Sequence, residues 1–203
     1  MTDEAYQAAA RYWEEKDAVS VRLEQGKLRA MVEEYIQSNN TCALATGTGD
    51  YVRCTPIEYS WHDGAFWMFS EGGKKFIGLQ SNPHVCLAIY DRYEGFGKLH
   101  GMQVMGLAEL VEPFSEAYNA HATWKKLSLE FLRRLESPMH LLRVRPTRIE
   151  CLVLRLQGAR VRPAADAAAG GDDPGMKIER PEFLSSGRFL CGQMGFVISL
   201  HGE

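Results

Sequence analysis

The sequence has no stretch near the ~20 uncharged apolar residues that a membrane span requires. Its first residues, MTDEAYQAAARYWEEK, lack a basic region followed by an apolar run. Membrane insertion and secretion are therefore not expected, and a cytoplasmic protein is. An excess of charge of one sign is also missing. The 23 Lys and Arg stand against 26 Asp and Glu, a formal net charge of −3, which offers a polyphosphate strand no attractive field and excludes nucleic acid as the expected partner. The five cysteines, Cys42, Cys54, Cys86, Cys151 and Cys191, are an odd number without a C-x-x-C pair. That usage suits reduced thiols, with Cys54 and Cys86 serving as small apolar strand residues.

Several catalytic and binding motifs fail for want of one residue. Gly47-Thr48-Gly49 invites a dinucleotide fingerprint, but Val52 occupies the third glycine position and a strand follows where a helix is needed. Gly97-Lys98 lacks the upstream Gly and the following Ser or Thr of a P-loop. The six histidines show neither metal-ligand spacing nor a carboxylate at the zincin offset, so no metal is expected. No Ser lies in a nucleophile elbow, and no side chain stands out as a general acid or base. The catalytic residues are left unassigned.

What is present is an ordinary globular chain: 203 residues, 45% apolar, with 19 Gly, enough for one good core or two small ones. From Glu4 to about Asn39 apolar residues recur at helical spacing, first Tyr6, Ala9 and Trp13, then Leu28, Met31, Val32, Tyr35 and Ile36. Residues 1–40 are thus expected to form helices packing on a barrel of residues 41–162. In that barrel region TCALATGTGDYVRCTPIEYSW alternates as strand, turn and strand, and Asp63-Gly64 between two β-prone runs signals a two-residue hairpin. A short helix begins after Gly72-Gly73 and stops at Asn82-Pro83; HVCLAIYD reads as a central strand, and Leu99 to Glu112 as a long one bent at Gly101 or Gly106. One helix is predicted from Ser115 to Leu135, then two strands around Pro146. Such a meander favours an antiparallel barrel over a parallel sheet. Residues 163–175 contain only Pro, Ala, Asp and Gly and read as a flexible linker. Residues 176–203 are too short to fold alone and are expected to dock on the barrel or on a partner subunit.

If Asp63-Gly64 is the loop, paired positions sum to 127 and Arg53 falls opposite Lys74. Arg53, the hydroxyls of Thr55 and Ser70, Lys74 or Lys75, and the N–H groups of a helix opening at Gly72-Gly73 then converge on one corner. Glycines permit close backbone approach, arginine supplies a forked donor and lysine a point charge. Together these suit a phosphate monoester.

The stretch RCTPIEYSWHDGAFWMFSEGGKKFIGLQSNPHVCLAIYD followed by MQVMGLAELVE resembles the FMN-binding split barrels of the pyridoxamine 5′-phosphate oxidase type. The likeness runs from about Asn39 to Glu112 and continues more weakly in RVRPTRIECLVL. It implies a mainly β, six-stranded antiparallel split barrel with flanking helices, a homodimer with FMN at the subunit interface, and a small-molecule substrate or electron donor. By the same resemblance Arg53 and Lys75 would grip the FMN phosphate, with Lys74 as a neighbour of variable role. Thr55, Pro56 and Ile57 would edge the isoalloxazine from one strand, Phe69 and Ser70 from its hairpin partner. Gln103 would reach the pyrimidine side of the flavin. True pyridoxamine phosphate oxidases close with a motif rich in Arg, His and Trp, whereas RIECLVLRLQGARVRP holds no His and no Trp. A flavin-dependent oxidoreductase with a substrate other than pyridoxamine phosphate is therefore expected, the alternative being a non-catalytic carrier or sensor of flavin or haem.

Overall fold

The structure is a computed structural model describing residues 2–18, 25–94, 100–153 and 195–198. Two helices come first, α1 (Asp3–Ala18) and α2 (Gln25–Ser38). Val32 and Ile36, one turn apart on α2, are buried in the main core, so α2 caps one end of the sheet. Tyr6 and Ala9 of the expected α1 stripe are exposed, Tyr6 at 62%, so these two residues add nothing to the core.

Strands β1 (Thr41–Thr48) and β2 (Tyr51–Glu58) form a hairpin about Gly49, and β3 (Ser60–His62) and β4 (Ala65–Ser70) form a second. Asp63 and Gly64 adopt φ of 52° and 67°, the pair of left-handed residues that a tight hairpin demands. Helix α3 (Lys75–Leu79), β5 (His84–Tyr90) and β6 (His100–Val111) follow, then α4 (Glu116–Trp124), α5 (Leu129–Arg134), β7 (His140–Val153) and β8 (Gly195–Ile198). The antiparallel order is β2-β1-β5-β6-β7-β4-β3, with β8 pairing β7. The two edges of this sheet, β2 and β3, are halves of one strand broken at Tyr59, so six strands form a ring: a split barrel. Tyr59 secures the break. Its N–H donates to the Asn40 carbonyl at 2.8 Å, and its hydroxyl donates to the Ile36 carbonyl at 2.7 Å, one of the carbonyls a helix end leaves unpaired.

Strand β4 explains why AFWMF is apolar throughout. Phe66 and Met68 point into the barrel with Leu44, Leu87 and Val104. Ala65 and Trp67 point the other way, into a second core with Tyr118 and Ala122 of α4 and Leu132 of α5. A strand buried on both faces cannot alternate. At the α2 end, Asp91 accepts from the Tyr35 hydroxyl at 3.0 Å and from His100 Nδ1 at 2.9 Å, tying α2 to the β5–β6 edge.

Three expectations are corrected. The single helix from Ser115 to Leu135 is two: Lys126 turns left-handed at φ 59°, and the N–H groups of Leu127 and Lys126 return to the carbonyls of Ala122 and Thr123, a C-terminal closure. Ser128 then caps a new helix, as Ser115 caps α4 by accepting from the Tyr118 N–H at 3.3 Å. The two strands around Pro146 are one bulged strand, since Gly106 pairs Pro146 and Met105 pairs Arg148, leaving Thr147 as the extra residue. Proline is accommodated because the β4 ladder on its other side has ended at Val144. Gly106 is required there, as an added Cβ would meet the Arg145 carbonyl at 2.7 Å. Cys54 is exposed and contributes nothing to the core. The expected linker 163–175, and the tail apart from residues 195–198, lie outside the described residues.

Replacing Ser115 with Ala should cost about 1 kcal/mol, the usual loss of an N-cap, and lower the Tm by roughly 2–4 °C. Thermal melts of Ser115→Ala and the retaining control Ser115→Asp check this.

Candidate functional site

Arg53 lies directly across the β1–β2 ladder from Thr46. Helix α3 packs on that spot: an added Cβ at Gly78 would stand 2.9 Å from the Gly47 nitrogen and 3.1 Å from the Thr46 Cβ. The C-terminal end of α3 is tied to β1, with Asn82 Nδ2 donating to the Gly47 carbonyl at 2.8 Å and Ser81 Oγ to Thr48 Oγ1 at 2.9 Å. Its N-terminal end is tied to β2 through the Tyr51 hydroxyl, which donates to the Lys74 carbonyl at 3.2 Å. This arrangement turns Lys75 inward.

Lys75 is 5% exposed and Lys74 is exposed. The Lys75 ammonium donates to the Gly72 carbonyl; burial, followed by the nearby Arg53 guanidinium, pulls its pKa below the ordinary lysine value. Gly72 and Gly73 take φ of 139° and 108°, conformations that only glycine holds without strain. Ser70 fixes the turn, its Oγ donating to the Gly72 carbonyl and accepting from the Gly72 N–H, both at 3.1 Å. Among the described residues no carboxylate pairs with Arg53 or Lys75. The buried Oγ1 atoms of Thr46 and Thr55, on the Arg53 face of the ribbon, have no hydrogen-bond partner. Two adjacent cations without a counter-ion, beside orphaned hydroxyls, form a corner whose unmet partner is an anion.

The route to this corner differs from the expectation. The β3–β4 ladder stops at Ser60 and Trp67, because β2 pairs with β1 instead, so Arg53 is not opposite Lys74. Arg53 and Lys75 are neighbours through α3. The helix itself adds little: it has five residues, and the N–H groups of Phe76 and Ile77 already donate to the carbonyls of Gly73 and Lys74.

Residues 28–152 match the family model described as pyridoxamine 5′-phosphate oxidase. The chain belongs to this family. No curated protein matches the sequence. Among solved structures, a conserved hypothetical protein of Mycobacterium tuberculosis is 18% identical, with a TM-score of 0.53 over 75% of this chain and 96% of that one. ChuZ of Campylobacter jejuni is 14% identical, with a TM-score of 0.51 over 64% of this chain and 57% of that one. HutZ of Vibrio cholerae, a haem storage protein, is 16% identical, with a TM-score of 0.49 over 59% and 89%. The first two are likenesses of fold.

Within this pyridoxamine 5′-phosphate oxidase family member, the remaining candidate residues divide between two faces. Thr55 and Ile57 share the Arg53 face, with Ile57 against the barrel core. Pro56 is on the outer face, in one rung with Ala43, Ala88 and Gln103. Gln103 is therefore three strand spacings, roughly 14 Å, from β2 and on the opposite face from Arg53. A single chain does not bring Gln103 to the corner. Phe69 turns away from Ser70 into the second core, with ring centroids 5.4 Å from Tyr118 and 5.2 Å from His121. Trp67 packs there too, outside the barrel interior.

At the opposite end of β4 is a group the sequence did not disclose. His62 and His121 meet through Nε2 and Nδ1 at 2.8 Å. Trp67 and Trp124 each stack on both imidazoles. Beside them opens a cavity of about 580 Å³ lined by Trp61, His62, Trp67, Ala117, His121 and Arg143. Fifty-nine residues separate the two histidines, so no local spacing could have linked them. Among the described residues no helix is long and apolar enough to cross a membrane.

Proposed function

We propose that the chain binds FMN, with the flavin phosphate held by Arg53 and Lys75, and acts as a cytoplasmic flavin-dependent oxidoreductase. The observation that carries this is the pairing of a buried lysine with an arginine, without a carboxylate, in front of the Gly72-Gly73 turn. A phosphate monoester brings up to two negative charges and three acceptor oxygens, which answer both cations and the unpartnered Thr46 and Thr55 hydroxyls. When bound, the flavin supplies hydride and electron transfer, while the chain binds and orients it. Thr55 and Ile57 on β2 would edge the ring.

The separation of Gln103 from the corner supports a homodimer in which Gln103 of the partner subunit approaches the flavin. The outer face of β1 and β5 suits such an interface, since Ala43, Ala45 and Ala88 leave it shallow and half-exposed. The absence of His and Trp from RIECLVLRLQGARVRP argues for a substrate other than pyridoxamine phosphate. The same want of an evident general acid or base fits chemistry carried by the flavin, and fits equally a non-catalytic flavin or haem carrier.

An absorption spectrum of the purified protein tests the first step. A flavin spectrum, with FMN released on denaturation, is expected; a Soret band or a colourless protein that takes up no added FMN would overturn the assignment. Reduction of the bound flavin by a nicotinamide cofactor, followed at steady state, then separates an oxidoreductase from a carrier.

A further inference from the structure

We infer that His62 and His121 form a proton-counting latch: one shared proton holds α4 on the β3–β4 hairpin, and a second protonated imidazole releases it. The bond has a defined proton inventory. His62 Nδ1 donates to the Asp63 carboxylate at 2.8 Å, so its Nε2 is left to face His121 Nδ1. With both imidazoles neutral, the His121 N–H fills that contact. With one extra proton on the pair, one imidazole still donates and the other still accepts across the contact, and it survives. With two extra protons, an N–H faces an N–H and two cations stand one hydrogen bond apart. The contact cannot persist.

The surroundings set where that happens. His121 is 1% exposed and its Nε2 is buried without a partner, so the charged form has no solvation to draw on. Burial first, then the charges of His62 and Lys125, push the His121 pKa down from 6.5 to about 4. The other charged groups around the pair are already engaged. Lys125 donates to Glu58 at 2.6 Å, Arg143 of β7 lies over the Trp67 ring and is held by Glu109 of β6, and Arg29 of α2 is paired with Glu33 across the cavity. Among the described residues Asp63 is the one carboxylate on the pair itself, and it is exposed. Unfolded chains take up a proton that folded His121 refuses, so its contribution to stability is complete above pH 6.5 and is lost as pH falls toward 4.

Release would loosen what the latch holds. Trp67, Trp124 and Phe69 all pack on His121, and the adjoining cavity gives the charged ring room to leave. His62 and His121 are thus positioning residues for the hairpin. The effect on flavin, through Phe69, rests on the function proposed above; the latch does not.

Near-UV and far-UV circular dichroism from pH 7 to pH 3 test it. The wild type should lose its near-UV aromatic signal around pH 4 while the far-UV signal persists. His121→Gln, which can bond to His62 but cannot titrate, should keep the aromatic signal roughly one pH unit lower or more. Equal midpoints in the two proteins, or near-UV and far-UV signals collapsing together in the wild type, would overturn the latch. If His121→Gln fails to fold at pH 7, long-range proton–nitrogen spectra of the wild type decide. One imidazole should stay neutral to about pH 4, and six histidines all titrating near the ordinary value would overturn it. With FMN bound, flavin release should track the aromatic transition. Flavin retained through a normal transition would remove the Phe69 link alone, and a protein that never binds FMN yet shows the transition would remove only the proposed cofactor.

Discussion

Lys75→Ala is expected to weaken FMN binding by roughly 10- to 150-fold, the 1.5–3 kcal/mol of a charge-assisted hydrogen bond, without lowering the Tm of the flavin-free protein. The two halves of that expectation have one cause. A lysine that is buried beside Arg53, and whose pKa is held down by burial and by that guanidinium, is a cost to the empty protein. Its charged form has lost water and gained a like charge, and neither the bond to the Gly72 carbonyl nor the Phe76 ring 5.2 Å away neutralises it. Removing it relieves the empty protein and deprives the phosphate of its most desolvated partner. Arg53→Ala should act in the same range on affinity. Lys74→Ala should change affinity less than about threefold, because its exposed charge is screened. Flavin-fluorescence titrations with thermal melts in the absence and presence of FMN separate these effects, since ligand stabilisation scales with affinity. An unchanged Kd for Lys75→Ala would remove the phosphate assignment.

The corner was legible in residue types, while the path to it was not. Asp63-Gly64 carries its own backbone chemistry, and the register it implies holds from His62 and Ala65 to Ser60 and Trp67. Beyond Ser60 the register fails because Tyr59 hands the chain from one partner strand to another. The signal for that is a tyrosine hydroxyl reaching a helix carbonyl 23 residues away, which no hairpin rule encodes. The same limit applies at Lys126, where a residue with no preference for the left-handed conformation ends α4, and at Thr147, where a bulge let Pro146 remain within a strand. Local chemistry with a fixed geometry, such as the Ser115 cap or the Gly72-Gly73 turn, could be read directly. Partners chosen by tertiary packing, above all His62 with His121, could not. Gln103 is the converse case: the resemblance names it, and the geometry of one chain holds it apart from Arg53.

Gly78→Val should lower both stability and FMN affinity although it removes no polar group. Glycine inside a helix ordinarily costs about 1 kcal/mol against alanine, so its presence in α3 needs a compensating reason. The close approach to Gly47 and Thr46, at 2.9 and 3.1 Å for a would-be Cβ, supplies it, because the obstructing atoms are mainly backbone and cannot swing aside. A valine side chain there should cost about 3 kcal/mol, the upper part of the usual overpacking range. The strain also has a direction. Ser81 and Asn82 hold the far end of α3 to β1 through two side-chain hydrogen bonds, so the helix yields by lifting its Lys75 end, which the Tyr51 hydroxyl ties to β2 through one. Lifting that end parts Lys75 from Arg53 and opens the corner, and FMN affinity should fall more than about tenfold, equivalent to 1.4 kcal/mol. A double-mutant cycle with Lys75→Ala is the decisive measurement, made at a temperature where all four proteins are folded. If Gly78 acts through the lysine, Gly78→Val should cost little further affinity once Lys75 is gone; full additivity, or a Tm loss with affinity intact, would show that the packing of α3 and the binding of the phosphate are separate.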